Sequence, residues 1–312
     1  MASTQGNGNG SADEPRYDIF LNGRMLPAGE ARVGVEDAGL QHAVGLFETM
    51  AVVGGRAFRL EAHLRRLASS ADTLGLAKHM EIAPLAEAVE ATLLHNRLRR
   101  ARLRLTVTAG EVSMLKASAD VAPGPTLLIV CSPPTAYDPQ YFEQGITAMI
   151  AEPRANPLDP LASHKTLSYW TRLRSLRQAA SAGCGEAIWL SVTNHLVGGA
   201  ISNLLLVKDG VLKTPIVRGE EAEGGLPSPV LPGVTRSVLL DLAVSEGLTV
   251  ERGALTIDDL LDADEAMLTN SGWGVLPVVR VEKSEIGGGA VGAVATRLRA
   301  LLVEEIEREC GG

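Results

Sequence analysis

Apolar positions along this chain change period several times, from two to about 3.6 and back, and the changes divide it into elements. Tyr17-Asp18-Ile19-Phe20-Leu21 alternates, Asn22-Gly23 is a strong two-residue hairpin signal, and Met25-Leu26 begins the return strand. Gly45-Leu46-Phe47-Glu48-Thr49-Met50-Ala51-Val52-Val53 reads as a strand stopped by Gly54-Gly55. From Leu60 the apolar residues Leu60, Leu64, Leu67, Ala71 and Leu74 recur at helical spacing, which puts His63 and Arg66 together on an adjoining face. A second helix is predicted over 84–97, and strands over 104–108 and 126–130. This first part is α+β.

Ser132-Pro133-Pro134-Thr135-Ala136-Tyr137-Asp138-Pro139 stops helix and sheet alike, and the domain boundary is placed there. The expected organisation is a disordered leader over 1–16, a small N-terminal domain over 17–131, a linker over 132–139 and a larger domain over 140–312. In the larger part Trp170, Leu173, Leu176 and Ala180 mark a helix with a glycine stop at Gly183 and Gly185. Residues 187–192 read as a buried strand, and 203–208 with 211–213 as a hairpin around Asp209-Gly210. Residues 219–229 are acidic and rich in Gly and Pro, which suits an exposed loop. Leu231-Pro232-Gly233-Val234-Thr235-Arg236 opens a helix over 237–245 that Gly247 closes. Thr256 and Asp259 form a capping box for a short helix over 257–262. A strand over 265–269 then delivers Asn270-Ser271-Gly272-Trp273-Gly274, and a long helix is predicted from about Val291.

Composition narrows the functional classes. With 312 residues, 46% of them hydrophobic, a substantial core is available. A formal net charge of −8, with no basic run beyond Arg99-Arg100-Ala101-Arg102-Leu103-Arg104, argues against nucleic acid as a partner. Cys131, Cys184 and Cys310 are far apart and lack metal-ligand spacing, as expected of a reducing cytoplasm without structural zinc. Neither a membrane-length apolar run nor a signal-peptide pattern occurs, so a cytoplasmic protein with no membrane partner is expected.

The stretch with the clearest chemical promise is His164-Lys165-Thr166-Leu167-Ser168-Tyr169-Trp170, one lysine among apolar and hydroxyl side chains. A partly desolvated lysine loses its proton more readily, and the neutral amine can condense with a carbonyl. The Pro-Gly turn before Thr235 leaves backbone N–H groups free at a helix N-terminus, which is the form of a phosphate cradle as well as of an ordinary helix start. Asn270-Ser271-Gly272 is a second candidate donor set, and Arg66 a candidate countercharge. The six histidines show no HExxH or i,i+4 pair, so no metal site is expected. No GxSxG elbow, Walker A loop or strand-linked GxGxxG is present, which removes the corresponding hydrolase and nucleotide readings.

In order and spacing these pieces resemble the class IV aminotransferases, the fold type IV enzymes that use pyridoxal phosphate. The matching segments are Gly45-Leu46-Phe47-Glu48-Thr49, His63-Leu64-Arg65-Arg66-Leu67 with Ser70-Ala71, and Lys165-Thr166-Leu167-Ser168-Tyr169. Further on come Ser202-Asn203 leading into Lys208-Asp209-Gly210-Val211-Leu212 and Thr214-Pro215, then Leu231-Pro232-Gly233-Val234-Thr235-Arg236, then Thr269-Asn270-Ser271 followed by Val275-Leu276-Pro277-Val278. The resemblance runs from Tyr17 to about Glu309. It implies a two-domain α/β architecture within the α+β class, a small N-terminal and a larger C-terminal domain with the site between them, and a homodimer acting on amino acids and 2-oxo acids.

By the same resemblance Lys165 forms the Schiff base with pyridoxal 5′-phosphate and moves the proton. Arg66, the backbone of Val234 and Thr235, and Ser271 hold the phosphate, while Tyr169 and Asn203 belong to the cofactor site. His42, Phe47, Thr49 and Arg104 are expected in the substrate pocket. One departure stands out. The family's glutamate at the ring nitrogen lies five positions before the Asn of the Ser202-Asn203 motif, and here that position is Gly198. Thr193, His195 or water are the substitutes the sequence offers. Ala43-Val44-Gly45 and Ala109 depart as well, from a common Gly-Asp-Gly and from a substrate-facing arginine. Three functions follow: amino-group transfer; the family's aminodeoxychorismate lyase chemistry, which Phe47-Glu48-Thr49 suits; and a non-catalytic relative that has lost its ring-nitrogen anion.

Overall fold

Asn22 and Gly23 both take positive φ, 46° and 83°, as a tight turn between two strands requires. The turn joins β1 (Ile19–Leu21) to β2 (Arg24–Leu26), with Leu21 opposite Arg24. The computed structural model describes residues 17–111 and 124–311, so the leader expected over 1–16 lies outside the described residues. After a single turn, α1 (Ala38–His42), come β3 (Gly45–Val53), β4 (Arg56–Ala57), α2 (Leu60–Thr73), α3 (Ile82–His95), β5 (Ala101–Thr108) and β6 (Leu127–Ser132). They form a six-stranded sheet in the order β2-β1-β6-β5-β3-β4.

The central pair β3 and β5 runs in unbroken antiparallel register from Gly45 opposite Thr108 to Val52 opposite Ala101. Alternation then divides the two faces. Leu46, Met50, Leu103 and Leu105 turn to α2 and α3 and are essentially inaccessible with Leu64, Val89 and Ile129. The opposite face carries Phe47, Thr49, Arg102 and Arg104, and it becomes the wall of a cavity. Strand β5 starts three residues before the expected 104 because its arginines occupy this polar face while Ala101 and Leu103 remain in the core.

The rest of the chain adds α4 (Gln140–Glu143), β7 (Ile146–Ala155), α5 (Trp170–Ser181), β8 (Glu186–Ser191), β9 (Leu196–Gly199), β10 (Asn203–Lys208) and β11 (Val211–Pro215). Then follow α6 (Val234–Ser245), β12 (Thr249–Gly253), α7 (Ile257–Leu261), β13 (Glu265–Asn270), β14 (Gly274–Val281), β15 (Ser284–Glu285) and α8 (Ala293–Cys310). The second sheet runs β12-β11-β10-β13-β14-β7-β8-β9, with β15 on β14. Both faces are covered. Leu204, Leu206, Leu268 and Leu276 pack with Leu260 on one side, while Leu205, Val207 and Met267 pack under α6 and α8 against Leu239, Leu298 and Leu302. Strand β7 escapes the sequence pattern because Pro153 falls in its bulge between Ile150 and Arg154, where an absent N–H costs the ladder nothing. Among the described residues no helix is long and apolar enough to cross a membrane.

Candidate active site

Lys165 is held between the two sheets by backbone pairing. Its carbonyl accepts from Phe47 N–H at 2.9 Å, Leu167 N–H donates to Gly45 O at 2.9 Å, and Thr166 bridges Leu46. The segment thus lies along the free start of β3 as a short extra strand. A Cβ on Gly45 would stand 2.7 Å from both Leu167 Cδ1 and Val107 O, so glycine leaves room for the Leu167 side chain and for the close approach of β5. Ser163, just before the segment, takes a left-handed φ of 66° while buried, a local strain kept where the chain is over-determined.

Around the lysine the wall is aromatic and cationic. Lys165 Nζ is 4.4 Å from the centre of the Phe47 ring, and Arg104 Cζ lies 3.7 Å over the same ring. Phe47 and Tyr169 meet edge to face with centroids 5.2 Å apart. Burial pulls the Lys165 ammonium below its ordinary value; the neighbouring Tyr169 and Glu48 oppose that and Arg66 and Arg104 reinforce it. A lysine so placed is closer to the neutral amine that attacks a carbonyl.

The cavity measures about 470 Å³. It brings together Lys165, Arg66, Tyr169, Asn203, Val234, Thr235, Ser271, Phe47, Thr49 and Arg104 from the expected set. His42 is the exception. It ends the single-turn helix α1, capped by Asp37 and broken by Ala43 at φ 56°, and its exposed side chain does not line the cavity.

Opposite the lysine is an anion cradle. Helix α6 has Gly233 as N-cap with no side chain capping it, so its first N–H groups are free at the positive end of the dipole. Thr235 Oγ1 and Ser271 Oγ stand 3.4 Å apart at this end. Asn203 builds the cradle indirectly: its Nδ2 donates to Leu231 O at 2.9 Å, and a Cβ on Gly233 would lie 1.9 Å from its Oδ1. Arg66 adds the positive charge and donates to Pro232 O at 2.9 Å.

Arg66 is aimed by a buried carboxylate. Its Nε and Nη2 donate to the two oxygens of Glu48 at 2.8 and 2.6 Å, and His63 Nδ1 meets Glu48 Oε2 at 2.7 Å. Burial alone would raise the Glu48 carboxyl, but Arg66 and His63 outweigh it and hold it down at about 2. Burial pulls His63 below its ordinary value against the opposing pull of Glu48, and its Nδ1 hydrogen is given to the carboxylate.

Several groups on and behind the wall have roles that the sequence reading did not assign. Two buried polar atoms on cavity-lining residues have no partner among the described residues, Thr269 Oγ1 and His164 Nε2; the other nitrogen of His164 is tied to Ser70 Oγ at 2.9 Å. Such orphans are expected where a polar ligand completes them. Arg172 lies over Trp189 and donates to Ala200 O at 2.9 Å. Glu186, fully buried at the head of β8, receives hydrogen bonds from the turn that joins β9 to β10. A charged residue opening the apolar run Glu186-Ala187-Ile188-Trp189-Leu190 was the available hint. Thr193 and His195 serve instead to close the β8–β9 turn, bonded to each other at 3.0 Å and away from the cavity.

The free helix start, the paired hydroxyls, Arg66, the two orphan atoms and a reactive lysine fit a phosphorylated carbonyl cofactor. A family model described as "Amino-transferase class IV" matches residues 45–281. The branched-chain-amino-acid aminotransferase of Salmonella typhimurium is 31% identical over 290 residues, 90% of each chain. The crystal structure of the branched-chain amino acid aminotransferase of Escherichia coli superposes with a TM-score of 0.83 at 29% identity, over 93% of this chain and 94% of that one. That of 4-amino-4-deoxychorismate lyase from Pseudomonas aeruginosa superposes with a TM-score of 0.78 at 29% identity, over 93% and 99%.

Proposed function

Because the chain belongs to the class IV aminotransferase family, we propose that it moves an amino group between an amino acid and a 2-oxo acid with pyridoxal 5′-phosphate held on Lys165. The observation that carries this reading is the placement of Lys165 in the wall of the same cavity as the uncapped start of α6. The cofactor, when bound, supplies the electron sink for the substrate's α-carbon. Lys165 would hold it covalently and, as the neutral amine, would move the proton at the α-carbon. The Val234 and Thr235 N–H groups, the Thr235 and Ser271 hydroxyls and Arg66 would hold its phosphate, and Tyr169, whose ring centre lies 5.7 Å from Lys165 Nζ, would stand beside the carbonyl side.

Arg104, with Phe47 and Thr49, forms the substrate side, where a guanidinium faces a substrate carboxylate. Arg102 stands two residues along the same strand face. Two cations there also suit a substrate with a carboxylate at each end, which keeps aminodeoxychorismate cleavage as the second reading, supported by the likeness to the Pseudomonas lyase. We read the two sheets as a small and a large domain joined over 132–139, and the protein as a cytoplasmic homodimer, by the same family reasoning.

Borohydride reduction of the protein with its cofactor, followed by peptide mass analysis, is expected to find the phosphopyridoxyl group on Lys165, and Lys165→Ala to carry none. Amino acids that convert the cofactor to its pyridoxamine form identify the donor. Absence of any lysine adduct rules out both enzymatic readings; pyruvate released from aminodeoxychorismate without that conversion selects the lyase.

A further inference from the structure

Glu186 is a buried carboxylate with no cationic partner among the described residues. It is 0% exposed, and its two oxygens meet only hydrogen-bond donors. Ala187 N–H reaches Oε1 at 2.9 Å and Ala200 N–H at 3.2 Å, while Ile201 N–H reaches Oε2 at 3.4 Å and Ser202 Oγ at 3.0 Å. Three of these groups cannot accept, so the arrangement is that of an ionised acceptor. Its burial raises the carboxyl above its ordinary value, and the four donors only partly offset that. A carboxylate buried without a cation is costly even where four donors meet it.

Its position suggests what completes it. The pairing of Ile188 with Gly199 puts Glu186 level with Ile201, directly behind the 199–202 turn that forms one wall of the cavity. Small residues keep that wall thin. A Cβ on Gly199 would come within 2.8 Å of Glu186 Oε2, and one on Gly198, at φ 141°, within 2.6 Å of Ser202 O. Arg172 fixes the same turn through the Ala200 carbonyl. Pyridoxal phosphate has three polar regions: the carbonyl side, the phosphate and the ring nitrogen. Lys165 with Tyr169 meets the first, and Arg66, Thr235 and Ser271 meet the second. Among the other polar side chains on the wall, His164 is tied to Ser70, Arg172 to the Ala200 carbonyl and Asn270 to the Ile201 carbonyl, Thr269 is a lone hydroxyl, and Ser202 is backed by a buried carboxylate.

On the reading given under Proposed function, we propose that Ser202 and Glu186 act as a relay that holds the cofactor's ring nitrogen protonated, with Ser202 touching the ring and Glu186 as the positioning residue behind it. The protonated nitrogen donates to Ser202 Oγ, and the Ser202 hydroxyl donates to Glu186 Oε2; no proton is gained or lost. The anion that Gly198 does not supply is thus supplied from the neighbouring strand, one hydroxyl removed.

The test compares wild type, Ser202→Ala and Glu186→Gln with two probes, ¹⁵N-labelled pyridoxal phosphate and its 1-deaza analogue, which lacks the ring nitrogen. The wild-type ¹⁵N signal is expected at the position of a protonated ring and both variants at that of a neutral one. The preference for pyridoxal phosphate over the deaza analogue is expected to fall about tenfold in each variant, equivalent to about 1.4 kcal/mol. Equal weakening of both probes, with an unmoved ¹⁵N signal, makes Glu186 a purely structural support of the turn and overturns the relay. So does a neutral ring nitrogen in wild type. If Glu186→Gln does not fold, Ser202→Ala decides alone. Failure of wild type to bind either probe is a different result: it removes the cofactor reading and the relay together.

Discussion

Glu48→Gln tests how the anion cradle is aimed. Glutamine keeps the size of the side chain but removes the charge, and its amide N–H₂ is turned toward donors on Arg66 or His63. The carboxylate is 1% exposed and Arg66 11%, so solvent does little to compensate. Holding the Glu48 carboxyl at about 2 instead of its ordinary 4.5 corresponds to about 3 kcal/mol of folding stability. Loss of one partner from a buried pair costs about 3–5 kcal/mol by independent measure. Urea unfolding at pH 7 should therefore find the variant about 3 kcal/mol less stable. Because the native carboxyl is depressed, the contribution is complete above 4.5 and disappears as pH falls through about 2. The gap between wild type and variant should accordingly narrow from pH 5 to pH 3, where less than half of it remains. A gap below about 1 kcal/mol at pH 7, or one that does not change with pH, would refute the proposed charge balance.

Arg104→Ala should raise KM for carboxylate substrates about tenfold to a hundredfold with kcat little changed, the mark of a lost charge-assisted hydrogen bond, as read from initial rates. Gly233→Ala should weaken cofactor binding by at least about tenfold in an absorbance titration, because its Cβ would sit 1.9 Å from Asn203 Oδ1 and force open the Asn203–Leu231 clamp. Gly198→Glu, the substitution that restores the family's residue, should lower stability by about 1–3 kcal/mol without speeding the amino-acid half-reaction. Its φ of 141° and the 2.6 Å approach to Ser202 O leave no room for a side chain. Faster turnover in that variant would show that the turn can yield.

The local patterns that were legible have local causes. Residues 45–53 and the helix from Leu60 came out at their observed positions because each buries one face at a single period. Strand β9, the bulged β7 and β12 did not, since Leu196-Val197-Gly198-Gly199 is too short to show a period, Pro153 interrupts β7, and Thr249–Gly253 is an exposed edge. The candidate site divides in the same way. Lys165, Thr235 and Ser271 belong to contiguous motifs, so the family resemblance marks them where their spacing alone left an ordinary helix start or turn equally open. Glu186 and Arg172 act across strands on atoms far away in sequence, and no spacing records that. His42 is the opposite case: its motif lies near β3, but at the end of the single turn of α1 it is exposed and outside the cavity lining.

The charges of the cavity follow one design that explains both buried glutamates. Arg66, Arg102, Arg104, Lys165 and Arg172 line it, and among the described residues no Asp or Glu does. An acid in direct contact would repel both a phosphate and a substrate carboxylate, while cations without nearby acids would have no counter-charge in the unliganded protein. The chain meets both demands by keeping its carboxylates one group behind the surface. Glu48 sits behind Arg66 and Glu186 behind Ser202. In each case the exposed partner presents a donor or a hydroxyl to the ligand while the buried acid fixes its direction. Gly198 then fits the same scheme, because a glutamate there would put a carboxylate on the wall itself.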